Sequence, residues 1–489
     1  MATNQLIEDN ANSTPRYYYV DQYGAMVKNT WKAVAMDDGN DNLDAEYYWY
    51  YFGNDGKAYT SKAPLSSSKI KTINGQKYAF DENGHMLYGW INKDNMEQQD
   101  EDEDAWSSSQ YYFNGWNDGH MQTGWIQLTV KDTNVKDDQD ETQTYWFHFK
   151  NSGEKRTKSA KINGTRYYFA EDGHMMTDWA AAAGTATAYS IKDGKDSHGL
   201  TTSSFVYVNG DGSQRKNKWV WTIPDEDFIQ EDYENDDYRW FYFDNGGHLT
   251  RNKVKKINGK SYAFNNDGVM QVGFVDVGTY ESVGKSDKYD RDGFIAGVNL
   301  DRKTKFTSTD TLRYFSDNEE KDGSMKKGYQ NIALDDSTYQ FYFNTSNGDA
   351  ETKYNSKIKK YTIHGLVLAP TADDPSNYMG VSLNGDKPVG YSFGEATEGD
   401  VLVNRSGSVV KSKSKLKDSE DAYYIVNKKG VVLKYFDSEE TYNSFINYTV
   451  DGKEKKASIS SDALAKDTYS EFVAQVAADN SGWSAPEDN

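Results

Sequence analysis

The phrase "INGQKYAFDENGHMLYGW", starting at Ile73, returns as "INGTRYYFAEDGHMMTDW" at Ile162 and "INGKSYAFNNDGVMQVGF" at Ile257. Such repetition constrains a fold more than any local propensity. Each copy must build the same unit and bury it against a neighbour. Weaker copies follow as "YTIHG" around Ile363 and "YTVDGK" around Val450. Two other phrases share the period. One is an aromatic strand closed by a Trp beyond its turn, ending at Trp31, Trp125 and Trp219, with Tyr329 in the fourth copy. The other carries a Trp inside the strand: "YYWYYFGNDGK", "YWFHFKNSGEK" and "RWFYFDNGGH", with "QFYFNTSNG" as a version lacking Trp. The order never changes, so the unit has three phrases and about 95 residues.

Each phrase reads as a β-hairpin. "KYAF" alternates in the two-residue period of a half-buried strand. "DENGH" and "AEDGH" supply Asx starts and a Gly that accepts positive φ. "HMLYGW" reads as the short return strand. One hairpin is unstable alone, and stacking supplies the missing burial. The expected fold is all-β, an elongated solenoid of stacked β-hairpins, with a short C-terminal helix. Residues 1–15 read as a flexible lead-in, 16–381 as four super-repeats and 382–458 as a degenerate fifth. Residues 459–489 read as a capping helix and tail. There, "SSDALAKDTYSEFVAQVAAD" sets Leu464, Phe472, Val473 and Val476 near one helical face, with a preceding Ser or Asp as N-cap.

Composition agrees with thin layers rather than a thick aliphatic core. The 489 residues include 38 Tyr, and aromatic residues make up 15%. Mean hydropathy is −0.91. A net charge of −21 disfavours nucleic acid and anionic membranes, since little would neutralise phosphates. Without Cys there is neither disulfide nor thiolate metal site. No apolar run approaches the roughly 20 residues of a membrane span. The N-terminus lacks a basic-then-apolar signal, which leaves an intracellular protein or a mature chain, and the composition favours the second, exposed on a bacterial surface.

"NGTRYYFAEDGHMMTDW" and "NGWNDGHMQTGW" resemble the cell-wall and choline-binding repeats, and the related glucan-binding repeats, of Gram-positive surface proteins. They also look like the repeats of clostridial toxins. The resemblance implies a β-hairpin solenoid that attaches, without catalysis, to wall choline or glycans. In choline-binding members, a Trp two residues after "NG", the "GW" Trp and an aromatic of the next hairpin form a cage. Here the "ING" hairpins carry Lys77, Arg166 and Ser261 in that slot, whereas the second phrases carry Trp49, Trp146 and Trp240, then Gln340. The resemblance therefore places candidate ligand sites between the first two phrases, pairing Trp31 with Trp49, Trp125 with Trp146 and Trp219 with Trp240, with Tyr329 in the fourth copy. Aromatic faces attract quaternary ammonium and stack on sugar rings. The same Trp residues also suit an inter-hairpin core. An acidic insert separates each pair and leaves the cage geometry open.

Those inserts, "DDGNDNLDAE", "KDDQDETQ", "PDEDFIQEDYENDD" and "LDDS", with "QQDEDEDA" after Trp90, suit a solvated fringe. They also suit weak calcium binding or attraction of a cationic ligand. None follows an EF-hand spacing, "DKYDRDG" being a partial look-alike. No catalytic motif is present. His85, His120, His174 and His248 share one slot after the turn Gly and read as turn residues. The chain is thus expected to be non-catalytic, without cofactor, and to bind glucan, choline-bearing teichoic acid or another wall polymer multivalently. The alternative is a structural or adhesive surface scaffold with protein partners or self-association, its aromatics serving only as core.

Overall fold

The computed structural model describes residues 1–10, 15–36, 45–97, 105–133, 141–181, 205–225, 228–284, 290–296, 311–318, 322–334, 337–419 and 421–486. The chain divides into two compact units, Met1–Leu249 and Thr250–Asn489.

The first unit is built on two kinds of turn. In the "ING" phrases, Asn74 and Gly75 take φ of 50° and 85°, and Asn163 and Gly164 take 47° and 88°. Two successive positive φ values make the turn that matches strand twist, and Asn-Gly supplies them at least cost. This turn joins β5 (Lys71–Ile73) to β6 (Gln76–Tyr78), and β11 (Lys158–Ile162) to β12 (Thr165–Phe169). In the second kind, an Asx carboxyl or amide oxygen accepts from two later amides. Asp81 takes the N–H groups of Asn83 and His85, and Asp244 those of Gly246 and His248. His85 and His174 also set Nδ1 3.0 and 2.7 Å from turn carboxylates, so the histidine slot serves the turn.

The sequence places the long ladder of the "ING" phrase across "DENGH"; the structure places it across Asn74-Gly75. The "DENGH" turn is closed by a single bridge, Phe80 to Met86. Equivalent bridges join Phe52 to Ala58, Phe113 to Met121, Phe149 to Lys155 and Phe169 to Met175. The Phe of each bridge is almost wholly buried. At about 1.5–3 kcal/mol per buried side chain, this column is the main apolar contribution that every hairpin repeats.

A second difference concerns the Trp that closes the first phrase. It opens the next ladder instead. Trp31 lies on β3 (Thr30–Ala35), which pairs with β4 (Tyr47–Phe52). Trp90 lies on β7 (Gly89–Ile91), paired with β8 (Tyr111–Phe113). Trp125 lies on β9 (Gly124–Lys131), paired with β10 (Thr142–Phe149). β13 (Asp178–Ala181) pairs with β14 (Phe205–Val208), and β15 (Lys218–Thr222), with Trp219, pairs with β16 (Arg239–Phe243). The acidic inserts therefore fall between the paired strands of these hairpins. Residues 37–44, 98–104, 134–140, 226–227 and 335–336 of the inserts lie outside the described residues. At the N-terminus, the lead-in expected to be flexible contributes β1 (Gln5–Asp9), paired with β2 (Arg16–Val20). Helix α1 (Ala105–Ser108) follows one insert, and α2 (Gln230–Glu234) lies within another.

The second unit continues with the "ING" hairpin Lys253–Ile257 and Lys260–Phe264. Tyr329 begins the strand Gly328–Leu334, paired with Ser337–Phe343. The short helix α3 (Arg291–Ile295) starts within the EF-hand look-alike, where Asp290 accepts from the Gly293 amide and acts as an N-cap. The C-terminal helix is shorter than expected. It is α5 (Tyr469–Asp479), capped by Thr468 rather than a preceding Ser or Asp, with Leu464 in a separate 3-10 turn. Phe472 and Val476 are fully buried and join a cluster with Phe445 and Trp483. Phe445 belongs to α4 (Glu439–Ile446), a helix the sequence reading missed although Ser438 and Thr441 form a capping box. Among the described residues, no helix is long and apolar enough to cross a membrane.

Candidate functional site

Pairing within one hairpin restores the geometry that the inserts left open. Trp31 stands opposite Tyr51, and Trp49 opposite Ala33. Trp125 stands opposite His148, and Trp146 opposite Gln127. Trp219 stands opposite Tyr242, and Trp240 opposite Trp221. Each candidate pair is therefore a diagonal neighbour on one hairpin face, within reach of large rings. The Trp31–Trp49 centroids are 6.5 Å apart at 81°, Trp125–Trp146 6.4 Å at 84°, and Trp219–Trp240 6.0 Å at 87°. Three hairpins thus hold one edge-to-face arrangement, which the ring quadrupoles favour.

In the first two copies, the next hairpin completes the arrangement. Tyr78 lies 4.9 Å from Trp31, and Tyr167 4.8 Å from Trp125. Phe80 and Phe169 lie behind, at 5.8 and 5.7 Å. Backbone hydrogen bonds lock the register. The Met86 amide donates to the Trp49 carbonyl at 2.8 Å, and the Met175 amide to the Trp146 carbonyl at 2.7 Å. Both methionines are buried beneath the rings.

Around Trp125 this leaves a cleft of about 400 Å³, lined by Trp125, Trp146, Tyr167, Met175 and Asp211. Trp146 is 42% exposed, so its ring is neither core nor free. Asp211 supplies charge. The hydroxyl and amide of Ser213 hold its carboxyl below the usual carboxylate range. His148 packs edge-on against Trp125 at 4.9 Å. Burial, and then the neighbouring Arg156, lowers its pKa. The Arg156 side chain donates to His148 Nδ1 at 3.0 Å, which fits a neutral ring. The cleft therefore presents aromatic faces, a thioether and one carboxylate. That set suits the apolar face of a sugar ring or an ammonium group. Among the described residues, no three His, Asp or Glu side chains converge to hold a metal ion.

The other candidates differ. In the third copy the sequence reading missed two rings. Trp221 stacks on Tyr238 at 5.9 Å and 26°, lies 5.1 Å from Trp240, and is 39% exposed. The signal was the two-residue spacing of "KWVWT", which puts both Trp residues on one face. In the fourth copy Tyr329 packs on Tyr342 at 5.1 Å, but Gln340 occupies the Trp slot and Lys360 Nζ stands 5.4 Å over the Tyr329 ring. The "ING" hairpins behave as their slot residues imply. The Lys77 carbonyl accepts from Met121, and that of Ser261 from Met325, with no Trp in the slot.

No family model matches the chain. It is 25% identical over 288 residues to Glucosyltransferase-S of Streptococcus mutans, covering 56% of this chain and 15% of that one. It is 26% identical over 278 residues to Glucosyltransferase-I of Streptococcus downei, covering 52% and 13%. The chain resembles the cell-wall-binding and glucan-binding repeats. It thus spans about one-seventh of the curated relatives it matches. Among solved structures, CbpJ of Streptococcus pneumoniae TIGR4 overlays with a TM-score of 0.39 at 16% identity, covering 78% of this chain and all of that one. Choline binding protein F of Streptococcus pneumoniae gives a TM-score of 0.37 at 18% identity, covering 77% and 98%.

Proposed function

We propose that this chain is a non-catalytic, extracellular binding module that holds a carbohydrate or cell-wall polymer at several aromatic clefts. The observation that carries this reading is the Trp125 cleft, open, half-buried and formed by two adjoining hairpins with Asp211 from the turn of the one that follows. A ring that served only as core would be covered, whereas Trp146 is 42% exposed. The rings of Trp31, Trp49 and Tyr78 repeat the ring geometry, so a polymer that reaches both clusters gains avidity from weak contacts. Trp221 and Tyr238 add two exposed rings to the third face. The sequence likeness to two streptococcal glucosyltransferases agrees with a carbohydrate ligand.

The test is retention of the full chain on purified Gram-positive cell wall and on insoluble α-glucan. Binding to at least one, lost when Trp125 and Trp146 are both replaced by Ala, supports the module. Retention by neither sinks it. A scaffold role draws on a different observation: Trp31 also packs against Phe80 within a buried cluster with Ile73 and Met86. In that case the Trp substitutions lower the melting temperature and change nothing on the matrices.

A further inference from the structure

The junction between the β7–β8 hairpin and the β9–β10 hairpin has the same frame as the Trp125 cleft. The amide after the Phe149 turn donates to the Gln110 carbonyl at 2.7 Å, as Met175 donates to Trp146. Trp90 therefore matches Trp125, Gln110 matches Trp146, and Phe147 matches Tyr167. The residue that matches Met175 is Lys155, in "GEK" where three copies read "GHM". Gly173 lies against the Lys155 side chain as Gly212 lies against Met175, with an added Cβ reaching 2.5 and 2.2 Å.

This junction is closed. Lys155 is 7% exposed, and Nζ stands 5.2 Å over the Trp90 ring and 6.0 Å over the rings of Trp106 and Phe147. Trp106, from α1, is 2% exposed and covers the site. Its carbonyl and that of Ser107 accept from Nζ, the latter at 3.4 Å. Three ring faces and two carbonyls are the surroundings that a desolvated ammonium needs. In the second unit Lys360, from a different repeat position, stands over the single ring of Tyr329 and donates to Gln340 at 3.4 Å.

We propose that Lys155 is the built-in occupant of an aromatic cage, and that Met or Lys at this repeat position decides whether a junction stays open to ligand or is filled by the chain itself. The closure at Trp90 stands on its own geometry. The extension to ligand choice rests on the reading of the Trp125 cleft as a binding site. Filling one junction ties α1 to the hairpin stack and removes that junction from the set that a polymer can engage.

The test is reductive methylation of the full chain with formaldehyde and cyanoborohydride, read lysine by lysine by mass spectrometry. Lys155 should react more slowly than exposed Lys77 by roughly tenfold or more, because its reaction needs local opening. Trp106→Ala should raise its rate towards that of Lys77. Nζ nitrogen resonances at pH 6 should show Lys155 as an ammonium; a neutral amine, or reaction as fast as Lys77, overturns the cage. Met175→Lys should give an introduced lysine that is also protected, and should lower retention on wall and α-glucan severalfold. Wild-type retention with M175K overturns the role of this position. If the wild-type chain binds neither matrix, the binding reading falls, while the protection of Lys155 and of the introduced lysine still decides whether the chain fills its own junctions. If M175K fails to fold, the Lys155 measurements decide alone.

Discussion

The junctions at Trp125 and Trp90 share a backbone frame and differ in their side chains. One has Trp146, Tyr167, Met175 and an open edge. The other has Gln110, Phe147, Lys155 and Trp106 laid across it. The comparison separates what a repeat must do from what it is free to do. The bridge Phe, the glycine turn and the amide-to-carbonyl lock hold the stack, and they recur at both junctions. The rings and the residue after the turn decide what fills the space between hairpins.

The shared part gives the largest effects. Phe149→Ala and Phe169→Ala each remove a fully buried ring and should cost about 3–5 kcal/mol in denaturant unfolding. A markedly smaller loss at one of them would show that the two junctions do not share a frame. Next comes Gly212, at φ 78° and against Met175. Gly212→Ala should cost about 1–2 kcal/mol by melting, and it should also weaken retention because Met175 must move.

The filled junction predicts a pH effect. Burial pushes the Lys155 ammonium down to about 7. The unfolded chain, with an ordinary lysine near 10.4, therefore binds more protons above pH 7. Stability should rise from pH 7 towards pH 10 through this group, by at least about 1 kcal/mol. Lys155→Met should flatten that rise; an unchanged profile would mean that Lys155 titrates like a surface lysine. The smallest effect belongs to the exposed Trp221 and Tyr238 rings. Trp221→Ala should change stability by less than about 1 kcal/mol, and the α-glucan retention of the same variant reports whether these rings add to binding.

Much of this was legible in the sequence. The period, the hairpin chemistry and the slot residues Trp49, Trp146 and Lys77 follow from phrases that cannot coincide by chance. The pairing of Trp31 with the strand of Trp49 did not, because a long acidic insert reads like a boundary between hairpins, whereas the ladder from Thr30 to Ala35 closes across it. Lys155 was hidden for another reason. A Lys after a turn looks like a solvated residue, and only the frame of Met86, Met121 and Met175 shows that the position faces inward. The capping box of α4 was readable and was overlooked beside the stronger β pattern.

The central claim is that the Trp125 cleft binds ligand from outside the chain. The most direct measurement is a titration of wild-type chain and the Trp125→Ala, Trp146→Ala double variant against soluble wall polymer and soluble α-glucan, followed by intrinsic fluorescence alongside melting. Saturable binding to at least one polymer is expected, weakened severalfold in the double variant while most of the folded structure survives. Equal binding by both proteins, or a fold that collapses with the two rings while no polymer binds the wild type, would contradict it.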